Sequence, residues 1–305
     1  VSFMKKKTLL TARNYISLFF LSISLILVFK ILFNMIAMGF IEKIWDLPSL
    51  EIYNDLQNQD FKYLYAHKVL AFCDQLGTFL IPSFLFFIII KSITVNLSFE
   101  IKKDMVKVVL YFLILLGLAQ LFLLISLKIG YDFLPVSAQD FLKNQQEFNT
   151  KLQEGFITNT LSGFLFNLLL LAVIPAIGEE LFFRGILQNI CVGLFRNRIV
   201  GVLITSLIFG LLHFQIENLI SIIFASILLG LVYEYSNNIL ITIILHFGFN
   251  SFSLCCMQAL KSGYLNDNQL DLMGNYLFIP LGVTMSVYVI VKKVFWEEEL
   301  LLSID

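Results

Sequence analysis

Charged residues are scarce in this sequence, at only 14% of its 305 residues, whereas 58% of the residues are hydrophobic. A soluble domain of this length has about a quarter charged and about half apolar residues. The formal net charge of −1 also gives no basic surface for nucleic acid. Together with a mean hydropathy of +0.85, these shortages exclude a water-soluble globular protein and indicate a polytopic membrane protein.

Several common catalytic patterns are missing as well. The four cysteines, Cys73, Cys191, Cys255 and Cys256, lie in apolar stretches without a CxxC spacing, so we interpret them as small buried hydrophobic residues rather than disulfides or zinc ligands. There is no HExxH motif of a zinc metalloprotease. Cys191 has no evident base on its own predicted helix, which argues against a cysteine nucleophile.

Long hydrophobic runs make up most of the chain. A helix needs about 20 mostly apolar residues to cross the hydrocarbon core of a bilayer. By this measure the sequence predicts eight spans: 15–40, 69–91, 106–127, 163–187, 199–216, 218–235, 239–260 and 274–291. We therefore predict an all-α polytopic membrane protein with about eight transmembrane helices.

The predicted spans divide the chain into three regions. Residues 1–162 form an N-terminal transmembrane region with two long outer loops, 163–260 a core of four predicted spans, and 261–305 the last transmembrane helix and a cytoplasmic tail. We see no internal repeat with matching broken helices, which argues against a transporter. The second long loop is predicted to contain a helix that lies on the membrane interface. Its apolar stripe is formed by Phe141, Phe148, Leu152 and Phe156.

Lysine and arginine residues are distributed unevenly between the two sides of the predicted membrane. The side that carries the N-terminus has twelve of them: Lys5, Lys6, Lys7, Arg13, Lys91, Lys102, Lys103, Lys107, Arg196, Arg198, Lys292 and Lys293. The other side has seven: Lys43, Lys62, Lys68, Lys128, Lys143, Lys151 and Lys261. The positive-inside rule thus predicts that both termini are cytoplasmic. The abundance of Phe, Ile, Asn and Lys, typical of an AT-rich genome, favours a bacterial cytoplasmic membrane.

Three charged residues interrupt the apolar stretch "IPAIGEELFFRGILQN" at positions 174–189. On a helix, Glu180 and Arg184 are four residues apart and can pair on one face. Glu179 points about 100° away from that face, so it is free to face a cavity. The alternative is that all three side chains reach for water at a helix end.

Two of the three histidines also fall in predicted spans. His213 lies in "FGLLHF" within the body of the fifth span, and His246 and Asn250 lie four apart in "LHFGFN" of the seventh. Each could be a hydrogen-bonded packing residue, but ionisable groups in the membrane are costly and are functional candidates by default. The third, His67, is expected to be an ordinary residue of the membrane interface.

These groups suit the hydrolysis of a peptide bond. A glutamate in a low-dielectric pocket can act as general base on a water molecule, and a histidine can pass the proton to the leaving amine. A second histidine and an asparagine amide can stabilise the oxyanion. A zinc site formed by Glu180, His213 and His246 stays open as an alternative.

The three motifs resemble the signatures of a known family. Glu179-Glu180-x-x-x-Arg184, Phe209-x-x-x-His213 and His246-x-x-x-Asn250 are similar, in order and spacing, to those of the CAAX-processing and bacteriocin-processing (CPBP) intramembrane glutamic endopeptidases. This family is also called type II CAAX prenyl endopeptidase or Abi. The resemblance covers residues 164–253.

The resemblance implies an intramembrane peptidase of about eight helices that uses no metal or other cofactor. It implies that 163–260 is the catalytic core, with a catalytic cavity that lies within the membrane and opens toward the cytoplasm. It implies that Glu179 and His213 activate water, that His246 and Asn250 stabilise the oxyanion, and that Arg184 fixes Glu180. The implied partners are the lipid bilayer and a peptide or protein cleaved near the cytoplasmic face, such as a bacteriocin leader. A non-proteolytic scaffold or bacteriocin self-immunity protein of the same fold is the alternative.

Three polar residues in the first two spans are harder to interpret. Asp74 and Gln75 can either form interhelical hydrogen bonds or line the cavity. Lys30 is expected to reach an interface or an acidic neighbour.

Overall fold

The structure is a computed structural model that describes residues 11–91, 97, 101–133, 135–213, 215 and 218–302. At 101–103, 127–133, 138 and 291–302 only the backbone is described. All secondary-structure elements assigned within these ranges are helices, which confirms the predicted all-α fold. Lys5, Lys6 and Lys7 lie outside the described residues, as does residue 216 at the end of the fifth predicted span.

Seven helices are long and apolar enough to cross a membrane. They are α1 (Ala12–Trp45), α3 (Leu64–Ile89), α4 (Ile101–Phe133), α6 (Leu161–Phe195), α8 (Leu219–Ser236), α9 (Ile239–Lys261) and α10, which begins at Asp267 and ends with Ile279–Leu302. The apolar helix α7 (Arg198–Leu212) has 15 residues. Two further helices, α2 (Ser49–Gln57) and α5 (Val136–Phe156), connect spanning helices. The described fold is thus consistent with about eight spans.

Two spans differ in length from their predicted ranges. The fourth was predicted at 163–187, but α6 continues to Phe195 because the apolar sequence "ICVGLF" prolongs it. The fifth was predicted at 199–216, but α7 ends at Leu212, where the sequence becomes polar. His213 therefore caps the C-terminal end of α7 instead of lying in the body of a span, which corrects the prediction.

Three helices widen locally into short π-helical segments, each followed by a proline. The pairs are Leu76–Leu80 with Pro82, Leu169–Val173 with Pro175, and Gly274–Phe278 with Pro280. Proline lacks an N–H group and clashes with the carbonyl group of the preceding turn, so a wider turn before it relieves the conflict. A fourth π segment, Leu181–Gln188, has no proline and directly follows Glu180. Such segments frequently occur at functional sites.

Helix α6 contacts α3, α7, α8 and α9. Every residue of α6 from Gly178 to Gln188 is buried. Phe183 packs edge-on against Phe209 of α7, with ring centroids 4.8 Å apart. Because the hydrophobic surroundings of this segment exclude water, its charged side chains must find their partners inside the protein.

The connection between α2 and α3 is held by a buried acidic side chain. Asp55 accepts hydrogen bonds from the backbone N–H groups of Lys62 (2.9 Å) and Tyr63 (3.1 Å), and it contacts Nε2 of His67 at 2.8 Å. His67 is therefore a buried partner of Asp55, not the ordinary interfacial residue that was predicted. Burial raises the pKa of Asp55, but the bonds from His67 and the two backbone groups outweigh burial and lower it overall.

Candidate active site

Glu180 and Arg184 form the buried pair that their spacing predicts. Nη1 of Arg184 donates to Oε1 of Glu180 at 2.8 Å, and both side chains are fully buried. Nη2 of Arg184 donates to Oγ (2.9 Å) and to the backbone oxygen (3.1 Å) of Ser226 in α8. Full burial rules out the alternative in which these side chains reach water at a helix end. The pair also ties α6 to α8.

The same glutamate holds His246 from α9. Nδ1 of His246 lies 2.8 Å from Oε1 of Glu180, and since a carboxylate only accepts, Nδ1 is the donor. The other ring nitrogen, Nε2, lies 3.9 Å from Oε2 of Glu179. This distance is too long for a direct hydrogen bond but leaves both atoms within reach of one bridging water molecule.

His213 is oriented by the helix that it caps. Its Nδ1 lies 2.8 Å from the backbone oxygen of Phe209, so Nδ1 must donate. In the neutral ring Nε2 is then the proton acceptor. The imidazole also packs on the Phe209 ring, with centroids 4.4 Å apart. The two histidines are therefore both fixed through Nδ1, one by a neutral carbonyl group and one by a carboxylate.

Four of the six predicted site residues line a single cavity of about 270 Å³: Glu179, His213, His246 and Asn250. They come from α6, from the end of α7 and from α9. Glu180 and Arg184 do not line this cavity and lie behind it, where they position His246. A second cavity of about 340 Å³ shares His213, His246 and Asn250 with the first.

The charges of this cluster do not cancel. Two carboxylates, Glu179 and Glu180, face one guanidinium, Arg184, so the cluster carries one net negative charge unless a proton binds to Glu179 or to a histidine. Oε2 of Glu179 is buried and makes no hydrogen bond within the described residues. A buried polar atom without a partner costs roughly 1–3 kcal/mol. The site is thus suited to bind a polar molecule and to hold a mobile proton.

The arrangement does not fit the zinc site that was considered as an alternative. Glu180 does not line the cavity that His213 and His246 line, and its Oε1 already accepts bonds from Arg184 and His246. Across the described part of the chain, no group of three or more His, Cys, Asp or Glu side chains is placed to hold a metal ion.

An acidic residue outside the three motifs also reaches the cavity. Asp74 of α3 lines it beside Glu179. Asp74 is held by an ion pair with Lys30 of α1 and by a hydrogen bond from Nδ2 of Asn34 at 3.0 Å. Both interpretations of Asp74 therefore hold, since it bonds between helices and lines the cavity. In the sequence, the only sign of these roles was that Asp74 interrupts an apolar run.

The fold and the site together define a multi-pass membrane protein with an acidic and histidine-lined cavity inside its helical bundle. Residues 161–252 match the model of a family described as Type II CAAX prenyl endopeptidase Rce1-like. The matched region contains all six predicted site residues, and the match confirms the resemblance inferred from the motifs. The match indicates a membrane-embedded peptidase. No curated protein and no solved structure matches the chain.

Proposed function

We propose that the protein is an intramembrane endopeptidase that hydrolyses a peptide bond with a water molecule activated by Glu179 and His213. The observation that carries this proposal is the convergence of Glu179, His213, His246 and Asn250 on one cavity. These side chains come from three helices and supply one base, one proton carrier and two further polar groups.

The water molecule is proposed to bind at Oε2 of Glu179, which has no other hydrogen-bond partner in the described structure. Glu179 accepts a proton from this water while the oxygen attacks the peptide carbonyl carbon. Nε2 of His213, the acceptor of the neutral ring, shares that proton and transfers it to the amine as the C–N bond breaks. Such general acid–base catalysis contributes about 10²–10⁴-fold to the rate.

The negative oxygen formed by the attack is proposed to be stabilised by His246 and Asn250. Glu180 holds Nδ1 of His246, so Nε2 is the nitrogen that points toward Glu179 and the cavity. When Nε2 also carries a proton, the ring donates to the oxyanion and balances the net negative charge of the cluster. Loss of one such donor typically costs about 10²–10³-fold in turnover.

Glu180 and Arg184 are proposed as positioning residues. Their pair is fully buried and holds the His246 ring, so neither side chain needs to contact the substrate. Residues 163–260 form the proposed catalytic core, although Asp74 of α3 contributes to its cavity. The proposed location is a bacterial cytoplasmic membrane, with the turn at Arg196 on the cytoplasmic side.

The proposal is tested with purified protein in lipid vesicles and a library of peptides. Glu179→Gln and His213→Ala are each expected to lose at least 100-fold in cleavage rate, whereas Glu42→Gln, an exposed control at the end of α1, keeps the rate of the parent. Cleavage by Glu179→Gln at the parent rate would contradict the assignment. Loss of cleavage on chelation would revive the zinc alternative. A cellular phenotype that survives Glu179→Gln would favour a non-proteolytic scaffold or self-immunity protein.

A further inference from the structure

Two cavities of different chemistry meet at the proposed catalytic side chains. His213, His246 and Asn250 line both the cavity of about 270 Å³ and the cavity of about 340 Å³. In the larger of the two, the two histidines are the only ionisable side chains among the described lining residues. The smaller cavity contains Glu179 and is completed by α3, which contributes Asp74. Acidic groups are thus present on only one side of the shared residues.

Asp74 has one carboxylate oxygen that the protein itself does not use. Nζ of Lys30 and Nδ2 of Asn34 (3.0 Å) both donate to Oδ1 of Asp74. Its Oδ2 accepts no hydrogen bond from any group that the structure describes. Although Asp74 belongs to the spanning helix α3, 34% of its side chain is exposed, and it lines the cavity. A hydrogen-bond donor that enters the cavity can therefore bind Asp74 without breaking its ion pair with Lys30.

The carboxylates that line this cavity give it a negative charge. Asp74 and Glu179 both line it, whereas no lysine or arginine does so among the described side chains. The nearby cations are already paired, Lys30 with Asp74 and Arg184 with Glu180. With neutral histidines, Glu179 therefore leaves one negative charge uncompensated. A positively charged group is consequently favoured in this cavity over a neutral or a negative one.

The size and the remaining lining of the cavity suit one long basic side chain. Its volume of about 270 Å³ is close to the lower end of the range for ligand pockets, about 300–1,000 Å³, so a group bound at Asp74 lies close to the catalytic side chains. Ala71, Leu170 and Leu171 supply apolar lining. The aliphatic stem of a lysine or arginine can pack on such a surface while its charged end reaches a carboxylate.

We propose that Asp74 determines substrate specificity by binding a lysine or arginine side chain of the substrate near the scissile bond. This inference rests on the proposed peptidase function and adds a residue of α3 to the three motifs. Oδ2 of Asp74 accepts a hydrogen bond from the ammonium or guanidinium group of the substrate, while Lys30 and Asn34 hold Oδ1 in place. A hydrogen bond to a charged group corresponds to a factor of about 10 or more in affinity.

The proposal is tested by the cleavage of peptides that differ in one side chain. A peptide cleaved by the parent is made with lysine or with the uncharged norleucine at each position near the scissile bond. At one position we expect kcat/KM to be at least 10-fold higher for lysine, and Asp74→Asn should lower this ratio to about one. Because both peptides are compared on the same protein, any loss of folded protein cancels. Equal cleavage of both peptides by the parent at every position, or an unchanged ratio in Asp74→Asn, would overturn the proposal.

The variant Lys30→Gln distinguishes substrate binding from a merely structural role of the ion pair. Both Lys30→Gln and Asp74→Asn break the pair between α1 and α3, but only Asp74→Asn removes the carboxylate. Lys30→Gln should therefore keep or raise the preference for lysine, since the charge of Asp74 is no longer offset. A fall of the ratio to about one in Lys30→Gln would show that the pair acts through structure alone and would refute the proposal.

A binding measurement makes failure of this proposal distinguishable from failure of the proposed function. The affinity of fluorescently labelled lysine and norleucine peptides is measured by anisotropy with the protein in uncharged detergent micelles, where no cleavage is needed. Tighter binding of the lysine peptides that is lost in Asp74→Asn, without cleavage of any peptide, would support the cationic site and refute the peptidase function. Cleavage without a preference for lysine would refute the role of Asp74 alone.

Discussion

The buried pair of Glu180 and Arg184 allows a quantitative test of how the site is built. Replacing Arg184 by methionine leaves Glu180 and Glu179 in a water-excluded core without a compensating cation. Breaking a buried pair by removing one partner typically costs about 3–5 kcal/mol. Arg184→Met additionally loses two hydrogen bonds to Ser226. We therefore expect the free energy of unfolding to fall by about 4 kcal/mol.

The double variant Glu180→Met/Arg184→Met distinguishes the cost of leaving a charge unpaired from the cost of changing how the side chains pack. Because apolar side chains of similar volume often replace a buried ion pair at little cost, we expect it to recover most of the stability lost in Arg184→Met. Its activity should stay low, since His246 has lost the carboxylate that holds Nδ1. Reversible unfolding in mixed micelles of the parent, both single variants and the double variant gives the coupling energy.

The reasoning is refuted if Arg184→Met unfolds within about 1 kcal/mol of the parent, which is the typical upper limit for an exposed pair. Additive effects of the two single substitutions would refute it as well, because a direct pair must show coupling. Ser226→Ala provides the matched control. It removes only the hydroxyl acceptor of Arg184 and should cost roughly 1.5–3 kcal/mol, the value of a hydrogen bond to a charged group.

Two further predictions concern the rest of the bundle. A methyl group on Gly282 would lie 2.6 Å from Cα of Gly117, where α10 crosses α4, so Gly282→Ala should lower the thermal unfolding midpoint. The control Gly39→Ala places its methyl group where no atom lies within 4 Å, and it should leave the midpoint unchanged. Equal midpoints for the two variants would contradict the close packing of α10 on α4. Asp55→Asn should destabilise the protein at pH 7. Because the pKa of Asp55 is lowered in the fold, its contribution should decline as the pH falls below about 4, the value of an unfolded Asp, and be lost as the pH falls through the lower folded pKa. A difference from the parent that persists unchanged at pH 3 would contradict the role of the carboxylate.

Much of the site could be predicted because its local rules are strong. The spacing of Glu180 and Arg184 predicts a pair on one helical face, and the pair is present. The cost of charge in hydrocarbon singles out His213 and His246, and the structure brings both to one cavity with Glu179. Hydropathy located the spans for the same reason, since the bilayer imposes a minimum length on each apolar run.

Other features depend on contacts between residues far apart in the chain. The bond between Glu180 and His246 joins residues 66 positions apart, and no spacing rule predicts it. Asp74 reaches the cavity only because α3 packs against α6. The end of α7 at Leu212 coincides with a short polar stretch of sequence that a hydropathy window of about 20 residues averages out. His67 was misjudged because its partner, Asp55, lies on a different helix.

The most direct test of the central claim is the cleavage rate of one identified peptide by Glu179→Gln relative to the parent, in vesicles that contain equal amounts of folded protein. The substitution preserves the shape of the side chain and removes only its capacity to take a proton from water. The account predicts a rate at least 100-fold below that of the parent. A rate within a factor of about two of the parent's, outside any range expected for loss of a general base, would contradict it.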